Sequence, residues 1–345
     1  MQQRHETLHG QVVRERFVSQ ALMGNPLGDP AERELVVYLP PGYDDVANAG
    51  RRYPVIFVLR GYLSSGVQFL NWSAFQKSLP QHLDELAARE PDFGAVISVF
   101  PDCFTAYGGS QYINSSAVGN YDDYLLELVR SVDARYRTSG DGGRGICGHS
   151  SGGYGAMIAG MCHPEIWSAV GCRSGDMGFD LCYLRDMPVL CNALNRTDND
   201  PARLLNDILA KEHKSSDDIT ALSMLAMSAC YSPNPSTQPL PFDIPVDPAT
   251  CEVIPEVWAR WLTHDPMQLI DQSTVQAALR SLKLLYFECG RRDEYLLHFG
   301  ARRMARKLAI LAIPHTYEEN DDGHSGTAYR YPIVIEKLAA ALMGK

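Results

Sequence analysis

The sequence predicts an α/β protein with a mostly parallel central sheet and helices on both of its faces. Short, continuous apolar runs recur along the chain, as at 55–59 and 95–100, and such runs are typical of strands buried on both faces of a sheet. Segments with helical periodicity lie between them, most clearly at 121–136. The alternation of strands and helices favours right-handed crossovers that keep the strands parallel.

The elements of the first half follow in regular order. A loosely alternating segment at 11–23 and a β-rich segment at 34–39 predict two early strands, the second ending at Pro40-Pro41-Gly42. The other elements predicted for this half are strands at 55–59, 95–100, 143–147 and 167–172, and helices at 72–89, 121–136 and 152–162.

The pattern changes after Asp176. Residues 178–280 contain helical pieces and few strand signals, and six prolines between 233 and 248 are incompatible with ordinary helix or central strand. We interpret 178–280 as a cap-like helical insertion in a single domain spanning 1–345. Helical pieces are predicted at 201–213, 217–230 and 254–263, followed by a strand at 282–288, a helix at 294–311, a strand at 316–320 and a helix at 328–343.

Charge and composition argue against several functions. The chain has 31 Lys and Arg against 41 Asp and Glu, a formal net charge of −10, which argues against nucleic-acid binding. The basic residues between 291 and 307 are interpreted as a solvated helix face. The nine cysteines form no Cys-x-x-Cys pair and no zinc-like spacing with histidines, so we expect reduced thiols and neither a metal nor another cofactor.

The N-terminal residues 1–10 are polar and charged and lack the apolar core of a signal peptide. No apolar stretch approaches membrane-spanning length. We therefore expect a cytoplasmic protein that does not act at a membrane.

A nucleophile is indicated by Gly148-His149-Ser150-Ser151-Gly152, which lies between a predicted strand and a predicted helix. A G-x-S-x-G sequence at such a junction forms the nucleophile elbow of the α/β-hydrolase fold. The turn is sharp, so the residues two positions either side of the serine must be nearly free of side chain, and Gly148 and Gly152 meet that need. We therefore predict Ser150 as the nucleophile.

Serine is a weak nucleophile and needs an adjacent base. In this fold the chain order is serine, acid, histidine, so the histidine should lie in a loop after the last strand. His324 lies in that place, among small and polar residues. His315 leads into the last strand and His298 lies inside a predicted helix, so both are interpreted as surface residues.

The acid should follow an earlier strand. Asp293 follows the strand at 282–288, with one helix and one strand between it and His324, and is our first choice. Asp176, after the strand at 167–172, is the rival. Two backbone amides should form the oxyanion hole, and the elbow and the loop after the 55–59 strand place them at Ser151 and Tyr62.

These residues carry a resemblance to a known family. The chain resembles the putative-esterase family of α/β hydrolases, which includes esterase D-like S-formylglutathione hydrolases, feruloyl esterases, enterochelin esterases and mycolyltransferases. The resemblance implies the α/β-hydrolase fold, a triad of Ser150, Asp293 and His324, and oxyanion donors at Tyr62 and Ser151. The matching stretches are 37–43, 53–55, 148–156, 289–293 and 323–325.

The chain departs from these relatives in two places. Arg60 stands where relatives often have His or Asp, and we expect it to pair with an acid such as Asp102, with the attraction of an anionic substrate as the alternative. The insertion is larger than in the smaller relatives, so the substrates of those relatives cannot be assigned to this chain. Phe179 and Tyr183, just past a strand end, are candidate pocket residues.

The sequence therefore predicts a serine carboxylesterase that hydrolyses a small-molecule ester through an acyl-enzyme. A thioesterase of the S-formylglutathione hydrolase type and an acyltransferase with the same triad are alternatives. A non-catalytic binding module is a further alternative, but the complete set of candidate triad residues argues against it. A homodimer is compatible with the sequence, which does not determine the oligomeric state.

Overall fold

A computed structural model describes residues 8–345 of the chain. Within these residues, one eight-stranded sheet forms the centre of the molecule and one two-stranded hairpin lies outside it. The strands are β1 (Gln11–Val18), β2 (Glu32–Leu39), β3 (Val55–Leu59), β4 (Ile97–Pro101), β5 (Asn114–Ser115), β6 (Gly119–Asn120), β7 (Arg144–His149), β8 (Ala169–Arg173), β9 (Leu284–Gly290) and β10 (Thr316–Asn320).

The central sheet has the order β1-β2-β4-β3-β7-β8-β9-β10. Its strands from β4 to β10 are parallel, whereas β1 pairs with β2 and β2 pairs with β4 in antiparallel fashion. The predicted α/β-hydrolase fold, with its mostly parallel sheet, is confirmed. Because the parallel strands end at the same edge, residues that follow β3, β7, β8 and β9 are brought together there.

Twelve α-helices are present in the described part of the chain. They are α1 (Leu79–Arg89), α2 (Tyr121–Arg135), α3 (Ser151–Cys162), α4 (Phe179–Cys182), α5 (Met187–Asn195), α6 (Pro201–Ala210), α7 (Ser216–Tyr231), α8 (Pro255–Leu262), α9 (Pro266–Leu269), α10 (Ser273–Ser281), α11 (Leu297–Ile310) and α12 (Tyr331–Leu342). None of the described helices is long and apolar enough to cross a bilayer.

The two faces of the sheet bury separate apolar cores. Along β3, Val55 and Phe57 face the core formed with α2, α3 and the helices between β8 and β9, whereas Ile56 and Val58 face the core formed with α1 and α12. This period of two explains why the run 55–59 is apolar throughout, since every residue in it is buried on one side or the other.

Two predicted elements differ from the structure by five residues or more at one end. The helix predicted at 72–89 begins at Leu79, because Ser78 and Gln81 form a capping box and Pro80 lies in the first turn. The strand predicted at 11–23 ends at Val18, where the Ser19 side chain accepts from the Leu22 amide and donates to Glu127. Both boundaries are therefore set by polar side chains at the ends of the elements.

Seven helices, α4 to α10, lie between β8 and β9. The pieces predicted at 201–213, 217–230 and 254–263 correspond to α6, α7 and α8, while α4, α5, α9 and α10 were not predicted. The proline-rich segment from 233 to 248 forms neither helix nor strand beyond isolated bridges such as Pro233 to Phe242.

The basic segment between 291 and 307 is partly exposed and largely paired with acids. Arg302 contacts Glu319, Arg303 contacts Asp180 and Lys307 contacts Asp271. His298 is buried, contrary to its interpretation as a surface residue, and burial lowers its pKa.

Candidate active site

Ser150 occupies a strained turn between β7 and α3. Its backbone has φ 59° and ψ −127°, a region that non-glycine residues rarely adopt. A Cβ atom on Gly148 would lie 2.2 Å from the Gly152 carbonyl oxygen, and one on Gly152 would lie 2.7 Å from the Arg60 carbonyl oxygen. The elbow therefore needs glycine at both positions for close backbone approach.

Three side chains from different loops form one line of hydrogen bonds. His324 Nε2 lies 3.0 Å from Ser150 Oγ, and His324 Nδ1 lies 2.7 Å from Asp293 Oδ2. Both distances are within normal hydrogen-bonding range. Asp293 is only 2% exposed, so water does not compete for its carboxylate. The structure thus brings together Ser150, His324 and Asp293.

The loop after β9 holds the carboxylate in place. The Tyr295 amide donates to Asp293 Oδ1 at 2.9 Å, so each carboxylate oxygen has its own partner. The next residue, Glu294, accepts from the His324 amide at 2.6 Å and ties the two loops together. Sequence reasoning missed Glu294, because its pairing depends on the adjacency of β9 and β10 in the sheet.

Asp176, the rival acid, lies in the same region but makes different bonds. Its Oδ2 atom accepts from the Tyr183 hydroxyl at 2.8 Å and from Gln111 Nε2 at 3.1 Å. Burial raises its pKa, and these two donors oppose that rise. Asp176 makes no hydrogen bond to His324 in the described structure.

A second histidine, His149, lies against the first. The ring centroids of His149 and His324 are 4.6 Å apart, and Tyr295 meets His324 edge-on at the same distance. Burial, with the charges of Arg173, His324 and Arg60 as smaller contributions, lowers the pKa of His149 well below 6.5. Sequence reasoning missed His149, whose only signal is its place inside the elbow.

The loop after β3 approaches the serine closely. A Cβ atom on Gly61 would be 3.2 Å from the Ser150 Cβ, so little space separates the two loops. In the described residues the Tyr62 amide donates to no protein acceptor, and Ser151 begins α3, whose first amides lack intrahelical acceptors. Two backbone donors are therefore available beside Ser150.

Three bonds from the segment 105–112 hold that loop. The Tyr62 hydroxyl donates to the Tyr107 carbonyl at 2.7 Å, and the Tyr112 hydroxyl donates to the Arg60 carbonyl at 2.6 Å. The Leu63 amide donates to the Gly108 carbonyl at 2.9 Å. Such bonds fix the direction of the loop amides before any substrate arrives.

Ser150 and His324 open onto a cavity of about 410 Å³. This size suits a small organic molecule. One wall is a face of α7, formed by Ile219, Thr220, Ser223, Met224 and Met227. The remaining walls include the loop at 60–64 and the segment 324–328.

The three residues predicted to bind substrate lie in different surroundings. Arg60 and Tyr183 line the cavity. Phe179 does not, since it is fully buried among Tyr154, Tyr183 and Tyr231. Its selection as a pocket residue is therefore wrong.

The expected pairing of Arg60 with Asp102 is also wrong. Arg60 donates to Gln68 at 2.9 Å and stacks on the Phe69 ring at 4.8 Å. Asp102 instead lies 3.6 Å from the buried Arg33 and accepts from Ser65. A buried guanidinium has the greater need of a counter-charge, which explains why Arg33 holds this acid.

The fold and this geometry define a class of protein: α/β hydrolases that cleave carboxylic esters with a serine. The sequence model of the family described as "Putative esterase" matches residues 30–338, which is most of the chain. The chain belongs to this family. The prediction of a serine-dependent carboxylic ester hydrolase is confirmed at this level.

Solved structures with low identity have the same fold. A ferulic acid esterase is 17% identical with a TM-score of 0.61, and the match covers 97% of this chain and 100% of that one. An S-formylglutathione hydrolase from Staphylococcus aureus is 16% identical with a TM-score of 0.59, covering 97% and 99%. One from Agrobacterium tumefaciens is 15% identical with a TM-score of 0.57, covering 98% and 97%. At these identities the likeness supports the fold alone.

Proposed function

We propose that Ser150 is the nucleophile of this esterase, His324 its general base and acid, and Asp293 the residue that orients His324. The observation that carries the proposal is the unbroken series of contacts from Ser150 Oγ through both nitrogens of His324 to the buried Asp293 carboxylate. Such a series activates a serine, because the proton released on attack has an acceptor already in place.

In the first step, His324 Nε2 takes the proton of Ser150 Oγ as that oxygen forms a bond to the ester carbonyl carbon. The negative charge moves to the former carbonyl oxygen, where the amides of Tyr62 and Ser151 donate to it. As the tetrahedral intermediate collapses, the carbon–oxygen bond to the alcohol breaks. His324 Nε2–H then donates its proton to the departing alcohol, which leaves Ser150 acylated.

In the second step, water replaces the alcohol. His324 takes a proton from the water as its oxygen attacks the acyl carbon, and the same two amides bind the oxyanion. Collapse breaks the bond to Ser150 Oγ, which regains a proton from His324. The carboxylic acid is released, and Asp293 stabilises the charged imidazole in both steps.

The cavity supports a small-molecule ester as substrate, rather than nucleic acid or a membrane lipid surface. We propose that the segment 178–280 acts as a cap within a single domain, since α7 of this segment forms one cavity wall. Arg60 and Tyr183 are proposed to contact the substrate because both line the cavity. A cytoplasmic location is part of the same proposal.

The test is hydrolysis of p-nitrophenyl acetate by the wild type and by Ser150→Ala. Loss of a serine nucleophile lowers kcat by about 10⁴-fold or more, so the variant should be almost inactive. Ser168→Ala is the matched control, because Ser168 precedes β8 at the opposite edge of the sheet. Full activity in Ser150→Ala would refute the role of Ser150.

Two further measurements identify the reactive residue and the type of acyl transfer. A fluorophosphonate should transfer its phosphonyl group to Ser150 Oγ of the wild type with loss of fluoride, and Ser150→Ala should remain unlabelled. A matched panel of esters and thioesters, with and without an alcohol acceptor, then separates hydrolysis of esters from thioester hydrolysis and acyl transfer. Faster turnover of every thioester than of its ester partner would contradict the carboxylesterase proposal.

A further inference from the structure

We infer that Arg173 is a positioning residue that fixes the position of Ser150 relative to the histidine loop, which is the segment 321–330 that carries His324. Arg173 is the last residue of β8 and lies between His149 of β7 and Glu288 of β9 in the sheet. Its side chain is not in the cavity wall, so it acts through other residues and not on the substrate. The inference rests on the proposed roles of Ser150 and His324.

The main chain of Arg173 contacts the nucleophile. The Ser150 amide donates to the Arg173 carbonyl oxygen at 2.9 Å. A Cβ atom on Gly153 would lie 2.6 Å from the same oxygen, so the first turn of α3 packs directly on it. The position of the strained serine turn therefore depends on where the end of β8 lies.

The side chain of Arg173 contacts the histidine loop. Its Nη2 atom donates to the Thr327 carbonyl oxygen at 2.6 Å, three residues beyond His324. Its guanidinium also lies 4.4 Å from the centre of the Tyr331 ring, at the start of α12. One residue thus bonds to the nucleophile turn with its backbone and to the base-bearing loop with its side chain.

Glu288 completes the attachment. Its carboxylate accepts from Arg173 Nε at 3.0 Å, from Arg330 at 2.7 and 2.6 Å, and from the Tyr286 hydroxyl at 2.6 Å. Arg173 is 1% exposed and Glu288 is 3% exposed. Because Arg330 lies at the far end of the histidine loop, both ends of the segment 327–330 are bonded to the sheet.

A network of this kind is not explained by stability alone. A buried ion pair loses much of its favourable energy to desolvation, and apolar replacements are often neutral or stabilising. The Arg173 network sets the distance between His324 Nε2 and Ser150 Oγ, which is 3.0 Å. A misplacement of about 1 Å in a catalytic contact is enough to lower the rate about a hundredfold.

The chain offers a matched control in Arg144. It is the first residue of β7, is 6% exposed, and pairs with Asp133 and Asp141 at the opposite edge of the same sheet. Arg173→Lys and Arg144→Lys therefore each remove a guanidinium fork from a buried arginine, although Asp133 and Asp141 are more exposed than Glu288. Only the first change is next to the catalytic residues.

The experiment compares kcat, KM and Tm for the two variants, with active sites counted by fluorophosphonate titration. We expect both variants to fold with a lower Tm than the wild type. Arg173→Lys should lower kcat for p-nitrophenyl acetate at least about tenfold with KM changed less than about twofold, whereas Arg144→Lys should keep kcat. Equal kcat in the two folded variants would overturn the inference, since a merely structural role predicts that result.

A second variant covers a failure of Arg173→Lys to fold. Arg330→Lys removes the two-pronged contact with Glu288 from a less buried position, and should lower kcat at least about threefold at constant KM. Unchanged kcat in Arg330→Lys would then overturn the inference. An inactive wild type would instead refute the proposed function, so the two failures are distinguishable.

Discussion

Replacement of Asp293 by Asn should change the protonation of His324 without changing its place. The Tyr295 amide donates to Asp293 Oδ1 and His324 Nδ1 meets Oδ2. In the variant, the amide of Tyr295 still needs an acceptor, so the oxygen of the new carboxamide faces Tyr295 and its NH₂ group faces His324. That NH₂ group can only donate, so Nδ1 becomes an acceptor and the proton of the neutral imidazole moves to Nε2.

With the proton on Nε2, His324 cannot take the proton of Ser150. The wrong tautomer of a triad histidine lowers kcat by about 10⁴-fold, which corresponds to about 5.4 kcal/mol in the activation free energy. Asp176→Asn is the comparison, because Asp176 is also buried but accepts from Tyr183 and Gln111 instead of His324. We expect it to lower kcat less than about tenfold.

The assay is the steady-state hydrolysis of p-nitrophenyl acetate at pH 8, with folding checked by circular dichroism. Two-dimensional NMR of histidine labelled with ¹⁵N reports the tautomer directly, and Asp293→Asn should move the proton of His324 from Nδ1 to Nε2. A greater loss of kcat in Asp176→Asn than in Asp293→Asn would refute the reasoning and make Asp176 the acid.

Three further changes test other parts of the structure. Gly148→Ala should lower Tm sharply or prevent folding, since its Cβ would lie 2.2 Å from the Gly152 carbonyl oxygen and no side chain can move to relieve the contact. A Tm within about 2 °C of the wild type, a margin of about 1.4 kcal/mol for a chain of this length, would contradict this. Ser223→Trp should fill the cavity beside α7, so kcat/KM for p-nitrophenyl octanoate should fall about tenfold or more relative to the acetate, and equal losses for both esters would count against a substrate site there. Burial lowers the pKa of His149, so as the pH falls below about 6.5 the unfolded chain binds a proton before the folded chain does, and the stability linked to His149 is lost. The hydrogen bond from His163 to the Asp122 carboxylate raises the pKa of His163, so the stability linked to His163 is present below about pH 6.5 and is lost as the pH rises. His149→Gln should therefore flatten the fall in Tm between pH 6.5 and 5, whereas His163→Gln should flatten the fall in Tm as the pH rises above about 6.5. A variant whose pH profile is the same as that of the wild type would refute the shift assigned to that histidine.

The sequence predicted that Ser150, Asp293 and His324 would lie together because their signals are local. Ser150 and Asp293 follow strands that the apolar pattern identifies, His324 follows the last predicted strand, and parallel strands end at one edge of the sheet. Nothing beyond chain order was needed to expect that they would meet. The structure places His324 within hydrogen-bonding distance of both Ser150 and Asp293, which lie in the loops after β7 and β9.

The surrounding contacts could not be predicted in the same way, because they depend on competition between partners. Asp102 lies 3.6 Å from Arg33 and not with Arg60, because the buried Arg33 guanidinium needs a counter-charge and its burial depends on the folded chain. Phe179 follows Gly178, which has φ 73°, and this turn directs the ring into the core instead of the cavity. Neither outcome has a local signal in the sequence.

Helix α7 shows why the substrate cannot be identified from the pattern of apolar residues. Its cavity face carries Ile219, Met224 and Met227, together with Thr220 and Ser223. Another face of α7 is buried in the protein core and carries Ala221, Leu222, Leu225, Ala226 and Ala229. Helical periodicity marks a helix with one apolar stripe, but a helix that is apolar on both sides shows no sign of which side meets a ligand.

The two polar residues on the cavity face of α7 therefore indicate more about the substrate than the apolar residues do. Thr220 and Ser223 lie on a wall that would be entirely apolar without them, and neither side chain makes a hydrogen bond within the described structure. Their hydroxyl groups are left to contact whatever fills the cavity, whereas the methionines beside them adapt to its shape. The choice of substrate should accordingly be more sensitive to Thr220→Val and Ser223→Ala, which keep the volume nearly constant, than to Met224→Leu.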